Sequence, residues 1–192
     1  MMQRIVILGS SAVLAVGGYW FIARSGDESP ASAEFSAALT LPWAAVGDTA
    51  SNASAHDAIR YAHPRYGFSF EYPDTLRMET FSEVTGGETI LFQNDAASGP
   101  KRGFQIAIHP FEGGEVLTRE RIMQDTGMAV EEPREVIIGT NQPALIFWSN
   151  DARIGRTREV WMIHGRYVYA ITTYAELDAW LAEILATWRF GG

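Results

Sequence analysis

From residue 59 to the C-terminus, apolar and polar residues alternate in short runs broken by turn residues. Phe68, Phe70 and Tyr72 alternate with Ser69 and Glu71 until Pro73-Asp74 stops the run. That period-two pattern belongs to a strand with one buried face. Ile59–His63 precedes it across Pro64-Arg65-Tyr66-Gly67, and the two runs predict a hairpin. Met78–Val84 and Glu88–Gln93 flank Gly86-Gly87, a second hairpin signal. Gly103–Phe111 alternates through Phe104, Ile106 and Ile108. Two more strand pairs follow: Glu135–Ile138 with Ala144–Ser149 around Thr140-Asn141-Gln142-Pro143, and Arg158–Ile163 with Tyr167–Thr172 around His164-Gly165-Arg166.

Two segments carry a helical period instead. Thr118 is placed to cap a short helix through about Asp125, closed by Gly127. Glu176–Trp188 puts Leu177, Trp180, Leu181, Ile184 and Leu185 on one face at spacings of three and four. That face is expected to lie on the sheet, with Trp180 buried in it. Consecutive hairpins with interspersed helices predict an α+β domain over residues 58–192: a mostly antiparallel β-sheet flanked by helices that cover one face.

The N-terminus follows neither pattern. Ile5 to Ala23 contains no charge and follows the basic start Met1-Met2-Gln3-Arg4. At about 1.5 Å per residue it spans roughly 28 Å, close to the hydrocarbon thickness of a bilayer. Tyr19 and Trp20 stand near its outer end, and Arg24, Asp27 and Glu28 stop it. Residues 1–24 are therefore expected to be a signal anchor, one transmembrane helix that crosses the membrane through residues 5–23. The free amine and the acidic residues after Arg24 favour the N-terminus inside. A cleaved signal, cut after Ala31-Ser32-Ala33, is the alternative, and it would release the domain. A type IV pilin fits poorly, because the Gly-Phe start and the glutamate five residues into the apolar helix are both missing. Residues 25–57, rich in Ala, Ser, Gly and Asp, read as a flexible linker. Leu39-Thr40-Leu41-Pro42-Trp43 interrupts it, as a segment that docks on the domain or a neighbour, or as a stray apolar stretch. Asn52-Ala53-Ser54 matches a short, common glycosylation sequon.

The net charge of −8 changes the picture only by exclusion. From Arg60 onward there are 13 basic and 18 acidic residues, which leaves the domain at about −5. A nucleic-acid surface needs a basic face, so no nucleic acid is expected as a partner. The absence of cysteine removes disulfides, thiolate metal sites, cysteine nucleophiles and a lipidated cysteine together.

One segment resembles a known family. His63-Pro-Arg-Tyr-Gly-Phe-Ser-Phe-Glu-Tyr-Pro73 resembles the opening "Y-G-F-S-F-x-Y-P" of the PsbP-like (Mog/PsbP) superfamily of small exported bacterial proteins, with Leu76 where an apolar residue follows the proline. Gly165-Arg-Tyr-Val-Tyr-Ala-Ile, a helix, and Trp188-Arg-Phe190 in place of the usual "S-F-x-F" are similar to its end. The resemblance spans about residues 58–190. It implies an antiparallel sheet flanked by helices. It implies little about function: the superfamily includes an extrinsic subunit of the photosynthetic oxygen-evolving complex and a Ran-binding protein, whose shared feature is attachment to a larger protein. No functional residue carries over.

The chemistry-bearing residues are scattered. His56, His63, His109 and His164 form no zinc-type pair. His109 with Glu112 and Glu115 could gather an ion, but loop carboxylates beside glycines are common. Glu131-Glu132 read as solvated charge and Asn150-Asp151 as a turn former. Arg153, Arg156 and Arg158 surround Ile154-Gly155. They read as an exposed basic hairpin, or as a contact for an anion or acidic partner. Among Phe147, Trp148, Trp161, Tyr167 and Tyr169, core packing dominates. Phe147 and Trp148 are adjacent, so one of them must face away from the other.

No catalytic, cofactor-binding or metal-binding set is expected, and no cofactor. The leading expectation is a membrane-anchored extracytoplasmic accessory or binding domain, non-enzymatic, single-pass in a bacterial cell membrane and contacting another envelope protein. A small-molecule or lipid-binding module is the alternative, and an uncharacterised enzyme is third.

Overall fold

A computed structural model describes residues 57–83, 86–95, 102–112, 116–152 and 154–191. The stretch Ile5–Ala23, the linker up to His56 with its Leu39–Trp43 patch and its sequon, and also Val84, Glu115 and Arg153, lie outside the described residues. No helix among the described residues is long and apolar enough to cross a membrane.

The strands form where the turn signals stand. The chain runs β1 (Ala58–Ala62), β2 (Phe68–Pro73), β3 (Arg77–Ser82), β4 (Glu88–Gln93), β5 (Gly103–Pro110), α1 (Arg119–Thr126), β6 (Glu131–Ile138), β7 (Gln142–Asp151), β8 (Gly155–His164), β9 (Tyr167–Tyr174), a 3-10 turn (Ala175–Leu177), α2 (Asp178–Ala186) and β10 (Arg189–Phe190). Thr118 caps α1 by accepting the Arg121 N–H at 3.1 Å, and Gly127 ends it at φ 70°.

Every strand pair is antiparallel, but the strands split into two sheets. β1, β2 and β10 form a small sheet, and the other seven run in the order β3-β4-β5-β9-β8-β7-β6. The small sheet opens with the His63–Gly67 turn. There His63 Nδ1 accepts the N–H groups of Arg65 and Tyr66, so its Nε2–H is the one that donates to Glu88 at 2.9 Å.

Alternation along the strands of the large sheet makes both of its faces apolar. Phe92, Phe104, Ile106, Ile146 and Ile171 point to one side, where they meet Phe68 and Phe70 of β2 and Leu181, Ile184 and Leu185 of α2. Phe147, Trp161, Val168 and Ala170 point to the other, where they meet Ile122 of α1 with Phe111 and Val130. The expectation that both helices cover one face is corrected by this pattern. A sheet apolar on both faces needs cover on both, so α1 lies on one side and α2 with the small sheet on the other.

The closing helix also departs from its expected form. The 3-10 turn takes up Ala175–Leu177, and α2 is nine residues long. Its buried stripe is Leu181, Ala182, Ile184 and Leu185. Trp180 sits beside that stripe, half-buried, with its ring 6.0 Å from Phe104. The deep position belongs to Trp188, which is 1% exposed and stacks on Phe68 at 4.6 Å and on Phe70 at 5.3 Å. Gly139 in the β6–β7 turn passes this segment so closely that a Cβ there would stand 1.9 Å from the Trp188 carbonyl oxygen.

Candidate functional site

The basic residues expected on an exposed β7–β8 hairpin divide between interior and surface. β8 points Arg156 and Arg158 to the α2 face, opposite Asn150 and Trp148 of β7. Arg158 is 2% exposed, which corrects the exposed-hairpin expectation for this residue. Its Nε and Nη2 donate to the two carboxylate oxygens of Asp178 at 2.7 and 2.8 Å. Asp178 is the first residue of α2, so the pair ties the helix start to the middle of the sheet. A bidentate charge-assisted pair of this kind offsets the cost of removing the guanidinium from water.

The guanidinium also lies 3.3 Å from the centre of the Trp148 ring, and exposed Arg156 lies 4.7 Å from the same ring. Trp148 remains half-buried on the α2 face, while its neighbour Phe147 is fully buried on the α1 face. The outcome is a surface indole held by two cations, one of them fixed by Asp178. The Nη1 of Arg158 is buried without a hydrogen-bond partner. Asp151 at the hairpin end accepts the Ile154 N–H at 3.1 Å, as a turn former does.

Glu159, the next residue, solves buried charge differently. It points to the α1 face and is 2% exposed. Its carboxyl accepts from the Thr157 and Thr172 hydroxyls, each at 2.8 Å, and from the Trp161 indole at 3.2 Å. Burial pushes its pKa up to about 7 against those three donors. Nothing in the sequence pattern singled Glu159 out. It follows Arg156-Thr157-Arg158 and stands just before the apolar run Val160–Ile163, so it reads as the last residue of a polar stretch.

His63, His109 and His164 sit apart from one another, each in its own contacts. His109 Nδ1 stands 3.2 Å from Glu83, and not with Glu112, which is exposed. Burial holds the His109 imidazole below its usual range, opposed by the Glu83 carboxylate. Thr89 donates to Glu83 at 3.1 Å. The hydroxyl therefore bonds the carboxylate and not the imidazole, unlike a nucleophile paired with its base. His164 stacks on Phe190 at 3.7 Å. Glu131 and Glu132 are exposed. Among the described residues no group of three or more His, Cys, Asp or Glu is placed to hold a metal ion. A cleft of about 80 Å³ lies between β6, β7, β8 and α2, lined by Val136, Ile138, Ile146 and Leu185 among others.

No family model matches the chain, and no curated protein matches it. Among solved structures, it is similar to the solution structure of cyanobacterial PsbP (CyanoP) from Synechocystis sp. PCC 6803. The TM-score is 0.50 at 9% sequence identity, over 74% of this chain and 98% of that one. The described residues have a PsbP-like fold: a mostly antiparallel α+β structure with two short helices among them.

Proposed function

We propose that this is a non-enzymatic accessory domain, held to a membrane through residues 5–23, that contacts another envelope protein. The observation that carries the reading is Trp148, half-buried on the α2 face against exposed Arg156 and the Asp178-fixed Arg158. Tryptophan and arginine are the residues most enriched where few contacts supply most of the binding energy. Here the ring is already ordered, so docking against it costs little side-chain entropy. The PsbP-like fold supports an accessory or binding role, and the uncharged stretch Ile5–Ala23 supports the tether. A small-molecule module draws less support, because ligand pockets run to about 300–1,000 Å³ and the cleft beside α2 is about 80 Å³.

The test is photo-crosslinking in intact membranes, with a benzophenone amino acid replacing Asn150, exposed and opposite Arg156, in one chain and Glu120 of α1 in another. The reading expects a discrete heteromeric adduct from position 150 and none from position 120. Equal adducts from both positions, or none from either, overturn it.

A further inference from the structure

The two edges of the seven-stranded sheet are built differently. β6 carries Glu131, Glu132, Pro133, Arg134 and Glu135, a register shift between Glu131 and Arg134, and a φ of 50° at Glu132. Charge, proline and bulge together keep another strand from pairing there. β3 has no proline and no register shift, and all six of its residues are exposed. Across the β3–β4 hairpin the Glu83 N–H donates to the Gly87 carbonyl at 2.9 Å. The odd-numbered residues of β3 therefore face β4, and Met78, Thr80 and Ser82 turn their backbone N–H and C=O outward.

Among the described residues no strand pairs with the outer edge of β3, and an apolar shelf lies beside it on the α2 face. Met78 stands opposite Phe92, whose ring is 4.9 Å from Tyr72, which in turn stands opposite Ile59. Met78 is 44% exposed and Ile59 43%. The chain enters the domain at this shelf, since the Asp57 carbonyl accepts the Asp74 N–H at 3.1 Å just before β1 begins.

We propose that Leu39-Thr40-Leu41-Pro42-Trp43 of the same chain adds to the outer edge of β3 as an extended strand. Three features select this occupant. Leu39, Leu41 and Trp43 alternate, so an extended segment places all three side chains on the shelf side. The same three residues then direct their backbones to β3, while Pro42, which lacks an N–H, faces outward as an edge-strand proline can. Trp43 is 14 residues from Asp57, a tether that reaches about 46 Å when extended and about 20 Å on average. Its attachment holds the segment at an effective concentration on the order of millimolar, an advantage that a second copy or another protein lacks. This goes beyond the proposed partner contact, which uses the opposite end of the sheet.

Hydrogen exchange on the full chain in detergent tests the proposal. The amides of Met78, Thr80 and Ser82 are expected to exchange at least about tenfold more slowly in the native chain than in Leu39→Ser/Leu41→Ser/Trp43→Ser. The amides of Phe104 and Ile171 should stay equally protected in both, which shows that the fold is intact. A benzophenone amino acid replacing Leu41 provides a second readout, expected to crosslink within one chain to β3. Equal exchange at the three amides overturns the proposal. A crosslink found only to a second copy or to another protein does so too, and assigns the edge to that occupant.

Discussion

Arg158 and Glu159 are adjacent, equally buried, and turned to opposite faces of one sheet. The Arg158 guanidinium is compensated in the interior by the Asp178 carboxylate and the π-face of Trp148. Glu159 has three neutral donors and no cation among its hydrogen-bond partners, so burial raises its pKa from 4.5 to about 7. The folded chain then holds this proton more tightly than the unfolded chain. Its stabilising effect is complete below the unfolded value and is lost as pH rises through about 7. The loss between those limits is on the order of 3 kcal/mol. Urea denaturation across pH 4.5–8 should show that slope, and Glu159→Gln, which copies the neutral form, should flatten it. A Glu159→Gln profile parallel to the native one would place the titration elsewhere. No spacing rule reveals this residue, because a charged pair inside a strand reads as solvated until the neighbouring strands and helices are in place.

At the scale of elements, the closing segment shows how far a periodic pattern reaches. The amphipathic stripe identified the helix, and Thr118 with Gly127 marked both ends of α1, because these signals are local. Trp180 and Trp188 were not separable in the same way, since their depths depend on where the 3-10 turn hands over to α2. Trp188→Ala is expected to cost about 3–5 kcal/mol, as for a filled aromatic site. Trp180→Ala should cost about 1–2 kcal/mol, because part of its ring already meets water. Glu183→Ala on the exposed side should stay within about 0.5 kcal/mol. Chemical denaturation of the three variants checks the order, and a larger loss at Trp180 than at Trp188 would reverse it. Gly139→Ala belongs to the same contact: a Cβ 1.9 Å from the Trp188 carbonyl, at φ 56°, must displace either the turn or β10. Its melting temperature is expected to fall by more than about 4 °C, roughly the effect of a 1 kcal/mol change in a domain between the 60–100-residue and 150–250-residue ranges. A change of less than 2 °C would show that the turn moves aside freely.

At the scale of the molecule, the strand pairs were readable one by one, and their assembly was not. Each hairpin is announced by its own turn, whereas the pairing of β5 with β9 and of β2 with β10 joins segments far apart in sequence, with no local signature. The division into two sheets follows from those distant pairings. It also decides the candidate site, because Arg158 meets Asp178 only when α2 lies on the face that the β7–β8 ribbon turns towards it. The proposed contact surface thus depends on the assembled fold more than on any motif. Its most direct test is co-purification from detergent-solubilised membranes, comparing the native chain with Trp148→Ala/Arg156→Glu at matched expression and matched melting temperature. The account predicts that a defined partner recovered with the native chain falls at least about tenfold with the double variant. Equal recovery of that partner, or repeated recovery of the native chain alone, would contradict it.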